Sequence, residues 1–554
     1  MGFRANGYQQ LGLNDRLINL TERERRILDA SWAKPFAEKI FPRIDESRFD
    51  VLYCSDNGRP NTPVNVIIGA LILKELMRDT DEELLDEVTF DSRYQYALHL
   101  TSYDEIPFSD RTVSRFRERL YLHELDTGED LLKGEIEHLA SEFSKMMKIN
   151  GKLKRMDSAM VSSNCKKMGR LELMYTCVAN MVKAIVSAGE SSVLPKHLLE
   201  YTKENKNSVC YRLDSDEVLA RQEEVAKDAM ELYKIAMHMQ YGRDELRLLE
   251  RLLADQTDNG VLKKGKAIQP DSLQNPSDED ATFRRKAGKE HHGYVVNVVE
   301  DCGDTKNIIT HYDYDVNRHS DIAFADDAIA KLGIQKEQVV IIADGGYASA
   351  ANFESAKKNN IELIATNLTG EKPPSIITEF HIGENSCIVC PEGCTSGSSN
   401  YSEAKGQFRA HFDKATCECC SRCQECPVAL QKKTSLLTLS QATIERARYA
   451  AKLSTEEYKE YARKRNGVEG IPSILRRRYG IDRIPVRGLL RTKVWIGFKI
   501  GAINVKRVIA ATLESRKVCT DAIVNGETLL DKIFTKLSVY TFARTCCKSG
   551  LLTH

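Results

Sequence analysis

The chain has 554 residues, long enough for two or three domains and at least one sizeable core, with 42% apolar residues and 80 Lys and Arg against 80 Asp and Glu. Its longest apolar run, VNVIIGALIL from Val64, is too short to span a bilayer, and its N-terminus lacks the basic-then-apolar pattern of a signal peptide, so a soluble cytoplasmic protein is expected. Zero net charge argues at face value against a nucleic-acid partner, yet thirteen Lys or Arg stand against two acids, Glu469 and Asp482, between Arg463 and Arg507.

Residues 1–150 read as a helical domain: PVNVIIGALILKELMRD carries apolar positions at helical spacing, and FSDRTVSRFRERL starts at a Ser109-Asp110 cap and bears Arg111, Arg115, Arg117 and Arg119. A GRP turn, Gly58 to Pro60, precedes these helices. Contact with DNA and plain packing or dimerisation suit such helices about equally. The core is expected over 151–372. It opens on GKLKRMDSAMVSSN, an alternating segment with one acid, Asp157, that reads as a strand. A helical insertion follows over about 166–260.

Strands return at GYVVNVVED (Gly293–Asp301) and NIITHYDYDV (Asn307–Val316). A helix capped by Ser320 leads to QVVIIADGGY, a buried strand that delivers Asp344 to its end and turns at once on Gly345 and Gly346. A further helix and IELIATN complete an α/β sheet whose first three strands can pair antiparallel. Ligands of such sheets sit beyond the carboxyl ends of the strands. Asp157 is expected at the equivalent place on the earlier strand. Two carboxylates aimed at one point repel, and a divalent cation keeps both ionised. Glu469, isolated in the basic segment, is the natural third acid of a two-metal site. Taken singly, a strand-end Asp is more often a turn cap.

Eight of the sixteen cysteines fall between Cys387 and Cys426, as CIVCPEGC and, further on, CECCSRCQEC. Paired thiolates two residues apart have the shape of a tetrahedral zinc site. Cys390, Cys394 and Cys420 with Cys423 or Cys426 are the expected ligands, Cys387 and Cys417 are reserves, and His411 is a weaker candidate. This insertion is placed at 373–435, followed by the C-terminal part of the core at 436–515 and a tail at 516–554.

The succession RMDSAMVSSN, ADGGYASAANFESAKKNNIELIATN and RNGVEGIPSILRRRYGIDRIPVRG, preceded by GRPNTPVNVIIGALIL and FSDRTVSRFRERL, resembles the DDE transposases of bacterial insertion sequences. It is most similar to the branch with a cysteine-rich insert before the catalytic Glu. SDEDATFRRKAGKEHHGYVVNV also matches a segment in which a basic stretch and a Gly-Tyr pair open the second core strand. The resemblance implies an RNase H-like mixed sheet, with Asp157, Asp344 and Glu469 binding Mg²⁺ or Mn²⁺, two ions, for DNA cleavage and strand transfer. It implies double-stranded DNA as partner, at the element's terminal inverted repeats and at the target, a homodimer on that DNA, and a bacterial, nucleoid-associated location. Arg465, Arg476, Arg477, Arg478, Arg487 and Lys493 are the DNA contacts it suggests. The family places an Arg four residues before the Glu and a basic residue seven after, which Arg465 and Arg476 satisfy. A Tyr is expected where Ala462 stands, with Tyr461 beside it. Gly467, Gly470 and Pro472 crowd Glu469, so the helix either kinks there or begins there. That departure supports a second expectation, a catalytically degenerate, zinc-stabilised DNA-binding protein derived from a transposase.

Overall fold

The computed structural model describes residues 2–6, 15–54, 60–101, 108–203, 209–211, 213–286, 288–368, 370–383 and 386–524, the stretch 517–524 as backbone only. Gly58 and Arg59 of the expected turn and the tail beyond Val524 lie outside the described residues.

The N-terminal region is helical: α1 (Glu22–Ala30), α2 (Val64–Met77), α3 (Asp81–Phe90), α4 (Ser92–Ala97), α5 (Asp110–Thr127) and α6 (Leu131–Met147). Thr21 with Glu24, and Thr80 with Glu83, form capping boxes that start α1 and α3. Nearly every residue of α2 is buried, as expected of a helix apolar on all sides.

The sheet follows. Its strands are β1 (Leu153–Ser162), β2 (Thr282–Lys286), β3 (Lys289–Cys302), β4 (Asn307–Val316), β5 (Val339–Ala343) and β6 (Ile361–Ala365). β3 pairs antiparallel with β1 on one side and with β2 and β4 on the other, while β1–β5 and β5–β6 are parallel. This is the mixed α/β, RNase H-like core that the sequence led one to expect. Gly293, which opens the buried part of β3, has φ +140°, and a Cβ there would meet the Val161 carbonyl at 2.4 Å, so only glycine fits.

Between β1 and β2 stand α7 (Arg170–Ser187), α8 (Ser215–Ala236) and α9 (Arg243–Gln256), packed around an apolar core of their own. Helices α10 (Asp321–Leu332) and α11 (Ala350–Lys358) provide the crossovers from β4 to β5 and from β5 to β6. After β6, strands β7 (Ser398–Ser402), β8 (Gln407–Asp413), β9 (Ala429–Leu430) and β10 (Thr434–Ser440) form a separate antiparallel sheet in the order β7-β8-β10-β9. It packs with α12 (Gln441–Leu453) over a small core that includes Phe412, Leu437 and Ile444.

The chain closes with α13 (Glu456–Asn466), α14 (Gly470–Arg477) and the long α15 (Leu489–Val524). α15 lies against α2, α6 and β4, and one continuous apolar core joins it to the N-terminal helices and one face of the sheet. Its glycines permit the close approach: a Cβ on Gly497 would meet Leu132 at 2.9 Å and one on Gly501 would meet Ile136 at 2.8 Å. Among the described residues no helix is long and apolar enough to cross a membrane.

Candidate active site

Asp157 lies within β1, not at its end, but the strand pairing puts it level with Asp344. The parallel register runs Leu153↔Val340, Lys154↔Ile341, Arg155↔Ile342, and two more residues along each strand reach Asp157 and Asp344. The sequence misplaced Asp157 because β1 continues past the end of β5 to pair with β3 as far as Ser162. At Asp344 the strand stops: its carboxylate accepts from the Gly346 amide at 2.7 Å and caps a short turn. Both glycines are needed for space. A Cβ on Gly345 would lie 2.5 Å from the Asn367 carbonyl, and one on Gly346 would lie 2.9 Å from Asp344 Oδ1.

Glu469 stands in the gap between α13 and α14. The chain keeps helical torsions there but switches to tighter i→i+3 hydrogen bonds, Val468 N to Arg465 O at 2.9 Å and Ile471 N to Val468 O at 2.8 Å. The Val468 carbonyl that Pro472 cannot serve is therefore used by Ile471. Val468 is wholly buried and pins the gap, leaving the Glu469 side chain 54% exposed.

The three acids meet at one cation. The Arg465 guanidinium lies 3.8 Å from Asp157 Oδ1, 3.7 Å from Asp344 Oδ2 and 2.6 Å from Glu469 Oε1. Its side chain is only 13% exposed, and its Nε is buried with no acceptor among the described residues. Burial pushes the Asp157 carboxyl up to about 6, against the pull of Arg465 and the Ser158 amide and with a further push from Asp344. All the converging donors are carboxylate oxygens, the set a small hard divalent cation takes, and a positive charge already stands among them. Among the described residues no three His, Cys, Asp or Glu side chains are grouped so as to hold an ion.

Arg155, which sequence reasoning missed, docks α13 against the sheet. It faces Glu300 directly across the β1–β3 ladder and pairs with it, and Arg507 of α15 reaches the other Glu300 oxygen at 2.6 Å. A second Arg155 nitrogen donates to the Lys464 carbonyl at 2.6 Å, one residue from Arg465. The signal was available in KRMD: charges inside a buried strand need partners, and Lys154 similarly faces Asp301.

The basic segment is less free than its composition suggests. Lys493, expected among the exposed cations, is only 18% exposed and pairs with Glu124 at 2.5 Å and Asp130 at 3.1 Å. Lys499 pairs with buried Glu75, Arg491 with Glu118, and Arg117 of α5 with Asp81. Arg476, Arg477 and Arg487 remain exposed, Arg476 anchored to the Met160 carbonyl at 2.9 Å and Arg487 to that of Asn164 at 3.0 Å. Arg478, half-buried, donates to the Leu76 carbonyl at 3.1 Å. A cleft of about 580 Å³ opens between the end of α2 and the turn after α14, lined by Lys74, Arg78, Arg476, Arg477, Arg478 and Arg483 among others.

In the cysteine-rich insertion, Cys390, Cys417, Cys420, Cys423 and Cys426 line one small cavity of about 40 Å³, and Cys394 lines an adjoining one with Cys390, Cys417 and Cys420. Cys417, expected only as a reserve, borders both. Cys387 faces Ser396 instead, and His411 bonds Thr434 on the neighbouring strand. The thiols share a site without closing into a ligand set, and none of the thirteen described cysteines is in a disulfide.

Residues 389–509, which include Arg465 and Glu469, match the family model described as Transposase DDE domain, and residues 25–119 match the one described as Transposase domain (DUF772). No curated protein and no solved structure matches the chain. Transposase family models thus match on both sides of an RNase H-like sheet, and together they support a DDE transposase of an insertion sequence.

Proposed function

We propose that this transposase cuts and rejoins DNA phosphodiesters at the ends of its element, with Asp157, Asp344 and Glu469 as the acids that hold divalent ions, Mg²⁺ or Mn²⁺, two of them. The observation that carries the reading is the convergence of all three carboxylates on the Arg465 guanidinium, from β1, the end of β5 and the α13–α14 gap. Such ions supply activation of a water or a 3′-hydroxyl and stabilisation of the leaving oxygen. The protein's own part is positional. β1 and β5 present two carboxylates at one level, and the gap at Glu469 lets the third approach from outside the sheet.

Arg465 then has two stations. Without ions it neutralises the acids; with them it is repelled and its guanidinium is free to take a backbone phosphate, for which its planar fork is suited. Arg476, Arg477 and Arg487 extend the phosphate track along the exposed edge, with Arg478 at the mouth of the cleft. We place duplex DNA of the terminal inverted repeats and of the target on this face, two copies of the chain holding the two ends. Zinc in the Cys390–Cys426 cluster would brace the insertion.

The exposed Glu469 at a helix interruption favours a second reading, a degenerate copy that binds its ends without cutting them. An assay on duplexes carrying the element's terminal repeats separates the two. The active reading expects Mg²⁺-dependent nicking at the repeat boundary; binding without nicking at any Mg²⁺ or Mn²⁺ concentration would leave the degenerate one.

A further inference from the structure

A second charged group borders the acids and has no part in the account above. Asp321, the first residue of α10, is 6% exposed. Its Oδ1 accepts from Ser158 Oγ at 2.9 Å, the residue next to Asp157. Its Oδ2 accepts from Lys286 Nζ at 3.1 Å, with Arg284 3.5 Å away. Asp321 also adjoins Asp344: a Cβ on Gly346 would lie 3.2 Å from Asp321 Oδ2 and 2.9 Å from Asp344 Oδ1. A fourth carboxylate thus stands beside both strand acids but is already balanced by cations of β2.

Lys286 differs from Arg465 in where its charge points. Its ammonium has three protons; Asp321 takes one and Ser158 Oγ, at 3.4 Å, accepts weakly from a second. The side chain is 39% exposed, so the remaining proton has an open side, and its charge is felt at the Asp157 carboxyl. A phosphodiester held at Asp157 and Asp344 would bring a non-bridging oxygen to this side, and charge on those oxygens grows as the bond breaks.

We propose that Lys286 is a further catalytic cation of this enzyme, contacting a non-bridging oxygen of the scissile phosphate, and that Asp321 is the positioning residue that aims it. The proposal rests on the phosphodiester reading given above. Asp321 acts from beneath: it ties Lys286 to Ser158 and hence to the backbone that carries Asp157. No other described lysine contacts Ser158 or Asp321.

The test compares cleavage of an end duplex having a normal scissile phosphate with one having a neutral methylphosphonate there, in the full chain. For the wild type, removing the charge should slow single-turnover cleavage by about a hundredfold or more; in Lys286→Gln the same change should cost at least about tenfold less, because the cation that read the charge is gone. Lys286→Arg should keep most of the wild-type ratio, and Asp321→Asn should lower it as Lys286→Gln does. Lys286 is partly exposed, so its variants stay informative should Asp321→Asn fail to fold. A ratio in Lys286→Gln equal to that of the wild type would overturn the proposal. Asp157→Asn run alongside tells which idea has failed: loss of cleavage there with an unchanged Lys286→Gln ratio rejects Lys286 alone, whereas undiminished cleavage by Asp157→Asn rejects the reading beneath it.

Discussion

Arg155 and Gly467 touch across the joint between sheet and α13: a Cβ on Gly467 would lie 2.2 Å from an Arg155 terminal nitrogen. That nitrogen cannot simply move away, because Arg155 is buried and tied to Glu300 and to the Lys464 carbonyl. Gly467→Ala should therefore push α13, and with it Arg465 and Glu469, off the sheet. The expected cost is about 1–3 kcal/mol and a loss of cleavage larger than the loss of DNA binding, measured by thermal unfolding beside a nicking assay. Wild-type cleavage in Gly467→Ala would mean that the joint does not position the site.

Arg465→Gln removes the cation that balances the acids. The metal-free protein should lose about 2 kcal/mol, less than the 3–5 kcal/mol of a fully buried pair because Glu469 is half exposed. Manganese should restore it, and Mn²⁺ affinity without DNA, read by electron paramagnetic resonance, should rise about tenfold or more as the competing charge is gone. An unchanged Mn²⁺ affinity would show that Arg465 and the ion do not contend for one place.

Glu135 of α6 supplies a pH dependence away from the site. Its carboxylate side chain has no exposed surface, accepts from the Asp45 amide at 2.9 Å and lies 3.4 Å from Arg48. Burial, only partly offset by these partners, pushes its carboxyl up to about 8. The folded state then holds a proton that the unfolded state releases near pH 4.5, so stability is full below that and falls as pH rises through 8. Glu135→Gln should remove this fall, leaving the variant the more stable of the two at pH 8–9, by up to roughly 4 kcal/mol. Parallel unfolding curves of the two proteins across pH 5–9 would contradict it.

The thiol cluster makes a separate prediction. Protein purified under reducing, chelator-free conditions should carry about one zinc per chain. Cys417→Ser and Cys420→Ser should each lose it, whereas Cys387→Ser should keep it. Elemental analysis showing no zinc, or zinc indifferent to Cys417, would remove the metal from the insertion.

Much of this site is legible in the sequence because its parts are local. ADGGY announces a strand end and a close turn by itself, and the Arg four residues before Glu469 is what the family resemblance implies. The rest depends on pairing between distant segments. The level of Asp157 follows from where β1 stops pairing with β5, and Lys493 is withdrawn by Glu124 of α5 and by Asp130, the cap of α6. Arg155, Lys286 and Asp321 lie among charged stretches whose partners are more than 30 residues away. The antiparallel sheet of the insertion is a different case. QFRAHFD and TSLLTLS alternate as strands should, but the pairing that joins them spans the second cysteine run.

The most direct measurement is anomalous diffraction from crystals of the protein bound to its end DNA and soaked in Mn²⁺. The account predicts a manganese peak between Asp157 and Asp344 within reach of Glu469, with Arg465 moved from the acids onto a backbone phosphate. Arg465 still seated among the three carboxylates, with no manganese beside Asp157 and Asp344, would contradict it.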